Sequence, residues 1–303
     1  MSFSYDTKNE LCRLGLRKTC CARAEAYGAL LYCNTFSASE VRIITENPNL
    51  AGRLPRLFQR AFDLRFDRLP EPESTGKRVF QITSREKMDH IINLLGYDAR
   101  QSLALHINFG LLEESHCRAA FLRGCFFTGG SIIDPRKRYH LELTTSHLQV
   151  GRELEALLRE CGYVPKQITR NNSFVTYFKK SEQIEDFLTF IGAPAASMAL
   201  MDAKLEKDLR NSVNRRLNCD NANLDKAVSA AQEQLEAIRR LIRSGTLEHL
   251  PEKLRATAAA RLDNPELSLS ELAESLDPPV TKSCLNHRLR KLAELARQEE
   301  SGK

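Results

Sequence analysis

Residues 116–143, HCRAAFLRGCFFTGGSIIDPRKRYHLEL, carry the pattern that predicts the fold of the first two-thirds of the chain. They predict an apolar helix, a short strand (SII), a DPRK turn and a second strand. Next come a helix (SHLQVGRELEALLRECG), two strands around Asn171 and Asn172, and a closing helix (SEQIEDFLTFIG). Because asparagine tolerates the positive φ angles of a tight turn, we expect the two strands to form a β-hairpin.

The same order of elements occurs once before this stretch. Residues 22–34 predict a helix, residues 41–45 a strand, residues from 49 a second helix, and residues from 77 a strand and a helix that ends at Gly96. The hairpins of this first copy are less clear. Two copies of roughly ninety residues are unlike a solenoid repeat. We therefore predict the α+β class, with a pseudo-symmetric, duplicated αββαββα domain built on two antiparallel sheets.

The segment NCDNAN, Asn218–Asn223, is predicted to separate two domains. It follows a long polar helical stretch, and its three Asn and one Asp favour turns over helix. We place one domain at residues 1–217, and a linker with an all-α domain at residues 218–303. In that second domain one helix is expected to run to Gly245, and another to begin at Pro251.

Residues 268–297, SLSELAESLDPPVTKSCLNHRLRKLAELAR, predict a helix-turn-helix. Ser268 and Glu271 have the spacing of a capping box, which marks the start of the first helix. The Asp-Pro-Pro sequence at 277–279 cannot continue a helix and turns the chain. A second helix begins near Thr281, and its buried stripe is expected to contain Leu285, Leu289 and Leu292.

The opposite face of this second helix carries the residue types that contact DNA in helix-turn-helix proteins. Arg pairs with guanine and Asn with adenine, while Lys and Ser hold phosphates. Residues 282–297 contain five Lys or Arg and one acid, whereas residues 251–303 contain nine bases and nine acids. Such concentration favours binding of double-stranded DNA over an ordinary solvated helix. The candidate DNA-binding residues are Thr281, Lys282, Ser283, Asn286, His287, Arg288, Arg290 and Lys291.

The composition of the 303 residues excludes several classes of protein. With 42% hydrophobic and 28% charged residues, the chain is neither disordered nor collagen-like. No apolar run approaches the roughly 18 residues of a membrane helix. Charged residues also interrupt any signal-peptide core near the start, so we expect a cytoplasmic protein that does not contact membranes. The net charge of +6 permits nucleic-acid binding but does not establish it.

The nine cysteines and seven histidines lead us to expect no cofactor and no metal site. The cysteines include no C-x-x-C pair and their number is odd, so we interpret them as free thiols in a reducing compartment, several of them on apolar helix faces. The histidines form no H-E-x-x-H, and we interpret them as scattered surface residues. Asp134, in the DPRK segment, is interpreted as a turn residue rather than a metal ligand.

Three stretches, in order, resemble the WhiA family of bacterial transcription regulators: residues 116–143, RNSVNRRLNCDNANLDK at 210–226, and PPVTKSCLNHRLRKL at 278–292. The resemblance covers nearly the whole chain. It implies a LAGLIDADG homing-endonuclease-like domain followed by a C-terminal helix-turn-helix. It also implies a cytoplasmic, nucleoid-associated regulator of promoters that acts in sporulation, or in cell division and chromosome segregation. RNA polymerase or another regulator is a further candidate partner.

The same resemblance implies that the nuclease site is lost. In LAGLIDADG enzymes two paired helices each end in an acid, and the two acids hold divalent metals at the scissile phosphates. Here those positions fall on Cys33, in YGALLYCNT, and on Gly129, in LRGCFFTGGS, and neither residue ligates Mg²⁺. Gly28 and Gly124, the small residues that let the two helices approach, remain. We therefore predict no catalytic residue and no enzyme activity.

Two other functions stay open from the sequence. If the acid positions are misplaced, the chain is an active LAGLIDADG-type homing endonuclease or RNA maturase. If the helix-turn-helix is vestigial, the chain is a protein-interaction scaffold. Lys166, Arg170, Lys179 and Lys180, on or beside the second hairpin, are secondary DNA-binding candidates, since a sheet face covers DNA in the homing-endonuclease fold. Lysines that protect a strand edge from pairing are the equally supported interpretation.

Overall fold

A computed structural model describes residues 2–71, 76–97 and 105–301, without the side chains of residues 300 and 301. The chain divides into two compact units, Met1–Asp208 and Leu209–Lys303. Within the described ranges, every helix is too short or too polar to cross a membrane.

The first unit begins with α1 (Phe3–Cys12) and then repeats one arrangement twice. The first copy comprises α2 (Thr19–Leu31), β1 (Thr35–Phe36), β2 (Val41–Thr45), α3 (Pro48–Phe62), β3 (Arg78–Ile82) and α4 (Arg85–Leu94). The second comprises α5 (Ser115–Gly129), β4 (Gly130–Ile132), β5 (Leu141–Thr145), α6 (Leu148–Glu160), β6 (Lys166–Arg170), β7 (Ser173–Phe178) and α7 (Ser181–Ile191). The predicted duplication and the α+β class are confirmed, and α1 is an addition that the sequence pattern did not indicate.

Both sheets are antiparallel, with the strand orders β1-β2-β3 and β4-β5-β7-β6. In the second sheet β6 and β7 form the expected hairpin, and Asn171 (φ 46°) and Asn172 (φ 59°) adopt the left-handed conformation of its turn. In the first sheet no strand of the described residues corresponds to β6. At the equivalent place Arg68 forms an isolated bridge to Gln81 of β3. This reduced pairing explains why the first copy had a weaker hairpin pattern.

Helices α2 and α5 form the centre of the first unit and are buried on nearly all sides. They approach each other at two glycines, Gly28 and Gly124, as the family resemblance implied. A Cβ atom at Gly28 would lie 2.1 Å from the carbonyl oxygen of Phe121, and one at Gly124 would lie 2.0 Å from that of Glu25. The two contacts are reciprocal, so the helix crossing has the pseudo-symmetry of the duplication.

A charged group is buried beside this crossing. The guanidinium of Arg53, on α3, donates two hydrogen bonds of 2.6 and 2.9 Å to the carboxylate of Glu25, on α2. Arg123, on α5, donates a third of 2.8 Å to the same carboxylate. Glu25 is 1% exposed and Arg53 is 2% exposed. These side chains therefore join three helices through a carboxylate that water does not reach.

The second unit is helical. It contains the C-terminal part of α8, a helix that spans Pro194–Arg243 in full. After α8 come a 3₁₀ turn (Thr246–His249), α9 (Glu252–Asp263), α10 (Leu269–Glu274) and α11 (Lys282–Ser301). The unit has its own core, to which the main contributors are Ile238, Leu241, Ala258, Leu272, Leu276, Leu285, Leu289 and Leu292. Gly245, at φ 76°, follows the end of α8 as predicted.

The helix break predicted at Asn218–Asn223 is wrong. These residues lie inside α8, and all six are exposed. Asn and Asp lower helix propensity by only about 0.7 kcal/mol each relative to Ala, far less than the roughly 3 kcal/mol for Pro, so they weaken a helix without ending it. The division between the two compact units falls at Asp208 and Leu209 in the same helix. The limits of 1–217 and 218–303 for the two domains stay a prediction.

Candidate functional site

The helix-turn-helix begins with the predicted capping box. The hydroxyl of Ser268 accepts a hydrogen bond from the backbone N–H of Glu271 at 3.3 Å, and the Glu271 carboxylate accepts one from the backbone N–H of Ser268 at 2.9 Å. Thr281 caps the second helix, because its hydroxyl oxygen accepts from the backbone N–H of Cys284 at 3.2 Å. Both helices therefore start where side-chain acceptors satisfy their first N–H groups.

The leucine stripe of α11 is buried, which confirms the orientation of this helix. Leu285, Leu289 and Leu292 are each no more than 1% exposed and belong to the core of the second unit. The face turned away from this stripe is open to solvent. Of the candidate DNA-binding residues, six are exposed, namely Thr281, Lys282, Ser283, His287, Arg290 and Lys291.

Asn286 and Arg288 are half-buried and lie at the flanks of the open face. Asn286 and Arg290 line a cleft of about 610 Å³ between α11 and the last turns of α8, which also carries Glu233 and Glu236. The open face itself is centred on Ser283 and His287, with Arg290 at the edge that the cleft shares. Asn286 is thus less exposed than Ser283, His287 and Arg290, and it shares the cleft with Arg290.

The charge of α11 is partly balanced within the helix. The ammonium of Lys291 lies 3.7 Å from a carboxylate oxygen of Glu294, and both side chains are at least half-exposed. An exposed pair of this kind contributes no more than about 1 kcal/mol, so Lys291 remains able to exchange this carboxylate for a phosphate. The N-terminal half of α11, including Lys282 and Arg288, carries no acid.

The two predicted vacant acid positions, Cys33 and Gly129, lie at the ends of α2 and α5. The thiol of Cys33, just after α2, donates to the carbonyl oxygen of Thr35 at 3.0 Å. Burial raises the pKa of this thiol to about 12, so it keeps its proton near neutral pH. A Cβ atom at Gly129, the last residue of α5, would lie 2.4 Å from the carbonyl oxygen of Thr144. An aspartate at position 129 would therefore require movement of the backbone.

A cavity of about 420 Å³ adjoins these two helix ends and is mainly lined by hydroxyl, amide and ammonium groups. Among the described lining residues Glu46 is the single carboxylate. Lys8 lines the cavity with its ammonium 5.6 Å from the ring centre of Phe126, and burial lowers its pKa to about 8. A lining with one acid and two lysines, Lys8 and Lys77, differs from the acid pair that holds metals in LAGLIDADG nucleases.

The secondary candidates lie along an edge of the second sheet. Lys166 and Arg170 are at the two ends of β6, the outermost strand, and every residue of β6 is exposed. Lys179 and Lys180 directly follow β7, and the ammonium of Lys179 lies 5.3 Å from the ring centre of Tyr177. This placement is compatible both with edge protection and with a DNA-facing role. Asp134 is the predicted turn residue, since its carboxylate accepts from the backbone N–H of Arg136 at 2.9 Å.

Two groups of side chains were not predicted. One is the buried carboxylate of Glu25 with its two arginines. The sequence could have indicated it, because Arg53 lies on the same face of α3 as the buried residues Leu50, Leu54 and Leu57. The other unites His116 with three thiols. This histidine is exposed, as expected, but the expectation that no other potential ligands accompany it is wrong. The duplication could have revealed this group, because Cys20-Cys21 and His116-Cys117 occupy equivalent places in the first turns of the two central helices.

Together the two units define a class of protein in which a LAGLIDADG-like α+β domain is joined to a C-terminal helix-turn-helix. Two family profiles match the chain, namely the WhiA LAGLIDADG-like domain over residues 118–210 and the WhiA C-terminal HTH domain over residues 213–296. The chain belongs to the WhiA family.

Curated relatives match over nearly their full length. A protein of Ruminiclostridium cellulolyticum is 38% identical, with 98% of this chain and 97% of the relative covered. One of Clostridium perfringens is 36% identical, with 100% and 99% covered. Both are named probable cell division protein WhiA. The crystal structure of full-length DUF199/WhiA from T. maritima is 24% identical, with 98% of this chain and 99% of that chain covered at a TM-score of 0.60, and this likeness shows the fold.

Proposed function

We propose that this chain is a sequence-specific, DNA-binding transcription regulator of the WhiA type that has no nuclease activity. The observation that carries the proposal is α11, whose leucine stripe is anchored in a separate core while its opposite face presents Ser283, His287 and Arg290 to solvent. A rigid helix with an open polar and basic face is what the major groove of DNA accepts.

The proposed setting follows from the family. The relatives are named as probable cell division proteins, so we propose a role in cell division and chromosome segregation, or in sporulation. The proposed partners are promoter DNA and, through the first domain, RNA polymerase or another regulator. The proposed location is the nucleoid in the cytoplasm. We also propose that the functional domains are residues 1–217 and 218–303.

Alanine substitutions on α11 are expected to separate base contacts from phosphate contacts. Arg290→Ala should weaken binding to the specific duplex by about 1–3 kcal/mol and leave the scrambled duplex nearly unaffected, because an arginine that pairs with guanine is read only in the right sequence. Lys282→Ala should weaken binding to both duplexes alike, because a phosphate contact carries no sequence information. It should also reduce the slope of the logarithm of the binding constant against the logarithm of the salt concentration by about one.

Chromatin immunoprecipitation with sequencing supplies the specific fragment, and fluorescence anisotropy at several salt concentrations compares it with a scrambled duplex of equal length. Lys253→Ala is the matched control, because this exposed lysine lies on α9 rather than α11. Asn286→Ala tests whether the flank beside the cleft also contacts bases. Equal binding to both duplexes, with Arg290→Ala behaving as the unaltered protein, would show that α11 is not the recognition helix.

The protein is expected to leave supercoiled plasmid intact in the presence of Mg²⁺ or Mn²⁺. Restoring acids with Cys33→Asp and Gly129→Asp is expected not to create cleavage, because the side chain at position 129 has no room beside Thr144. Agarose gels of plasmid incubated with protein and metal measure this directly. Nicking that co-purifies with the protein through a second purification would instead support the homing endonuclease or RNA maturase function.

A further inference from the structure

Four side chains with metal-ligand atoms meet at the beginnings of α2 and α5. Cys20 and Cys21 are the second and third residues of α2, and His116 and Cys117 are the second and third residues of α5. Their three Sγ atoms and one imidazole nitrogen all lie within 4.8 Å of one another. The four ligands thus come as two equivalent pairs, one from each copy of the duplicated fold.

The distances approach those of a tetrahedral zinc site. The Nδ1 atom of His116 lies 3.4 Å from the Sγ atom of Cys21 and 3.3 Å from that of Cys117. Zinc bound by sulfur at about 2.3 Å and nitrogen at about 2.0–2.1 Å in a tetrahedron separates its ligand atoms by about 3.5–3.8 Å. Small side-chain rotations therefore convert the observed cluster into a coordination shell.

We propose that Cys20, Cys21, Cys117 and His116 bind one zinc ion as a structural site with three thiolates and one imidazole. Thiolate and imidazole ligands select zinc over Mg²⁺, which prefers hard oxygen ligands. On binding, each of the three thiols releases its proton to solvent, and the zinc keeps its oxidation state. The bound cluster carries a single net negative charge, which the positive ends of two helix dipoles stabilise.

The cluster is not the metal site of a LAGLIDADG nuclease, because it lies at the other end of the two helices. The cluster stands at the first turns of α2 and α5, whereas Cys33 and Gly129 lie at their far ends. At 1.5 Å per residue, helices of this length place the two positions about 20 Å apart. The zinc would instead link the two copies of the fold by joining the N-terminal turns of α2 and α5. Cys20 and His116 are exposed, so the ion can enter from solvent.

Zinc content of the full-length protein, purified without a histidine tag, tests the site. Plasma mass spectrometry should find about one zinc per chain, as a structural site retains its ion through purification. Cys20→Ser and His116→Ala should lose most of it, and since both side chains are exposed, these variants are expected to fold. Cys219→Ser and Cys284→Ser are the matched controls, because these exposed thiols lie on α8 and α11. They should keep the full zinc content.

Cobalt substitution and chelation give independent readouts. Protein depleted of zinc and given Co²⁺ should develop the visible absorption of tetrahedral cobalt–thiolate coordination, and Cys20→Ser should abolish it. A chelator should lower the melting temperature of the unaltered protein by about 5 °C or more and leave that of Cys20→Ser unchanged. The site is refuted if the protein holds no zinc and gives no cobalt spectrum, if Cys20→Ser retains full zinc content, or if protein prepared without oxygen contains a metal-free disulfide from Cys117 to Cys20 or Cys21.

Discussion

Gly28→Ala and Gly124→Ala are each expected to destabilise the first unit by about 3 kcal/mol, the upper end of the usual cost of overpacking a core. A methyl group at position 28 would overlap the carbonyl oxygen of Phe121, at 2.1 Å, and one at position 124 that of Glu25, at 2.0 Å. Both obstacles are backbone atoms of a facing helix, so only separation of α2 and α5 can relieve the overlap. Alanine raises intrinsic helix propensity by about 1 kcal/mol, which is too little to offset this loss.

Urea unfolding of each variant measures the change. Gly52→Ala is the matched control, because Gly52 is also inside a helix, α3, but nothing lies within 4 Å of an added Cβ. That substitution should be neutral or stabilise the protein by up to about 1 kcal/mol. If Gly28→Ala were as stable as Gly52→Ala, the close helix crossing would be wrong.

Arg53→Met is expected to cost about 3–5 kcal/mol of folding free energy. The substitution leaves the carboxylate of Glu25, which is 1% exposed, with Arg123 as its remaining arginine. It also removes the donor to the carbonyl oxygens of Cys12 and Leu14, at 3.2 and 2.6 Å. Removing one partner of a buried ion pair is strongly destabilising because the other charge stays away from water.

Arg56→Met, three residues along the same helix, is the control. Arg56 is exposed, so its replacement should change stability by no more than about 0.5 kcal/mol. The double variant Glu25→Gln with Arg53→Met should cost less than the sum of the two single variants, because each single variant already disrupts the shared pair. Strictly additive costs in chemical denaturation would contradict a direct interaction between Glu25 and Arg53.

The elements that could be predicted are those whose signals lie within a few residues. The β-hairpin at Asn171 and Asn172 follows from the tolerance of asparagine for positive φ. The capping box at Ser268 and the leucine stripe of α11 follow from i, i+3 and i, i+4 spacing. Where propensities are weak, this local reasoning failed, and α8 continues through Asn218–Asn223.

The sequence by itself thus determined the duplicated α+β fold and the helix-turn-helix, and the vacant acid positions at Cys33 and Gly129 stay a prediction from it. Only the tertiary structure decided which distant side chains meet. Burial of Arg53 against Glu25 depends on how α3 packs on α2, and the meeting of Cys20 and Cys21 with His116 and Cys117 depends on the crossing of α2 and α5. Glu25 and Arg53 lie 28 positions apart, and Cys21 and His116 lie 95 apart, so no periodicity within one element joins them and their contact is set by the packing of whole helices.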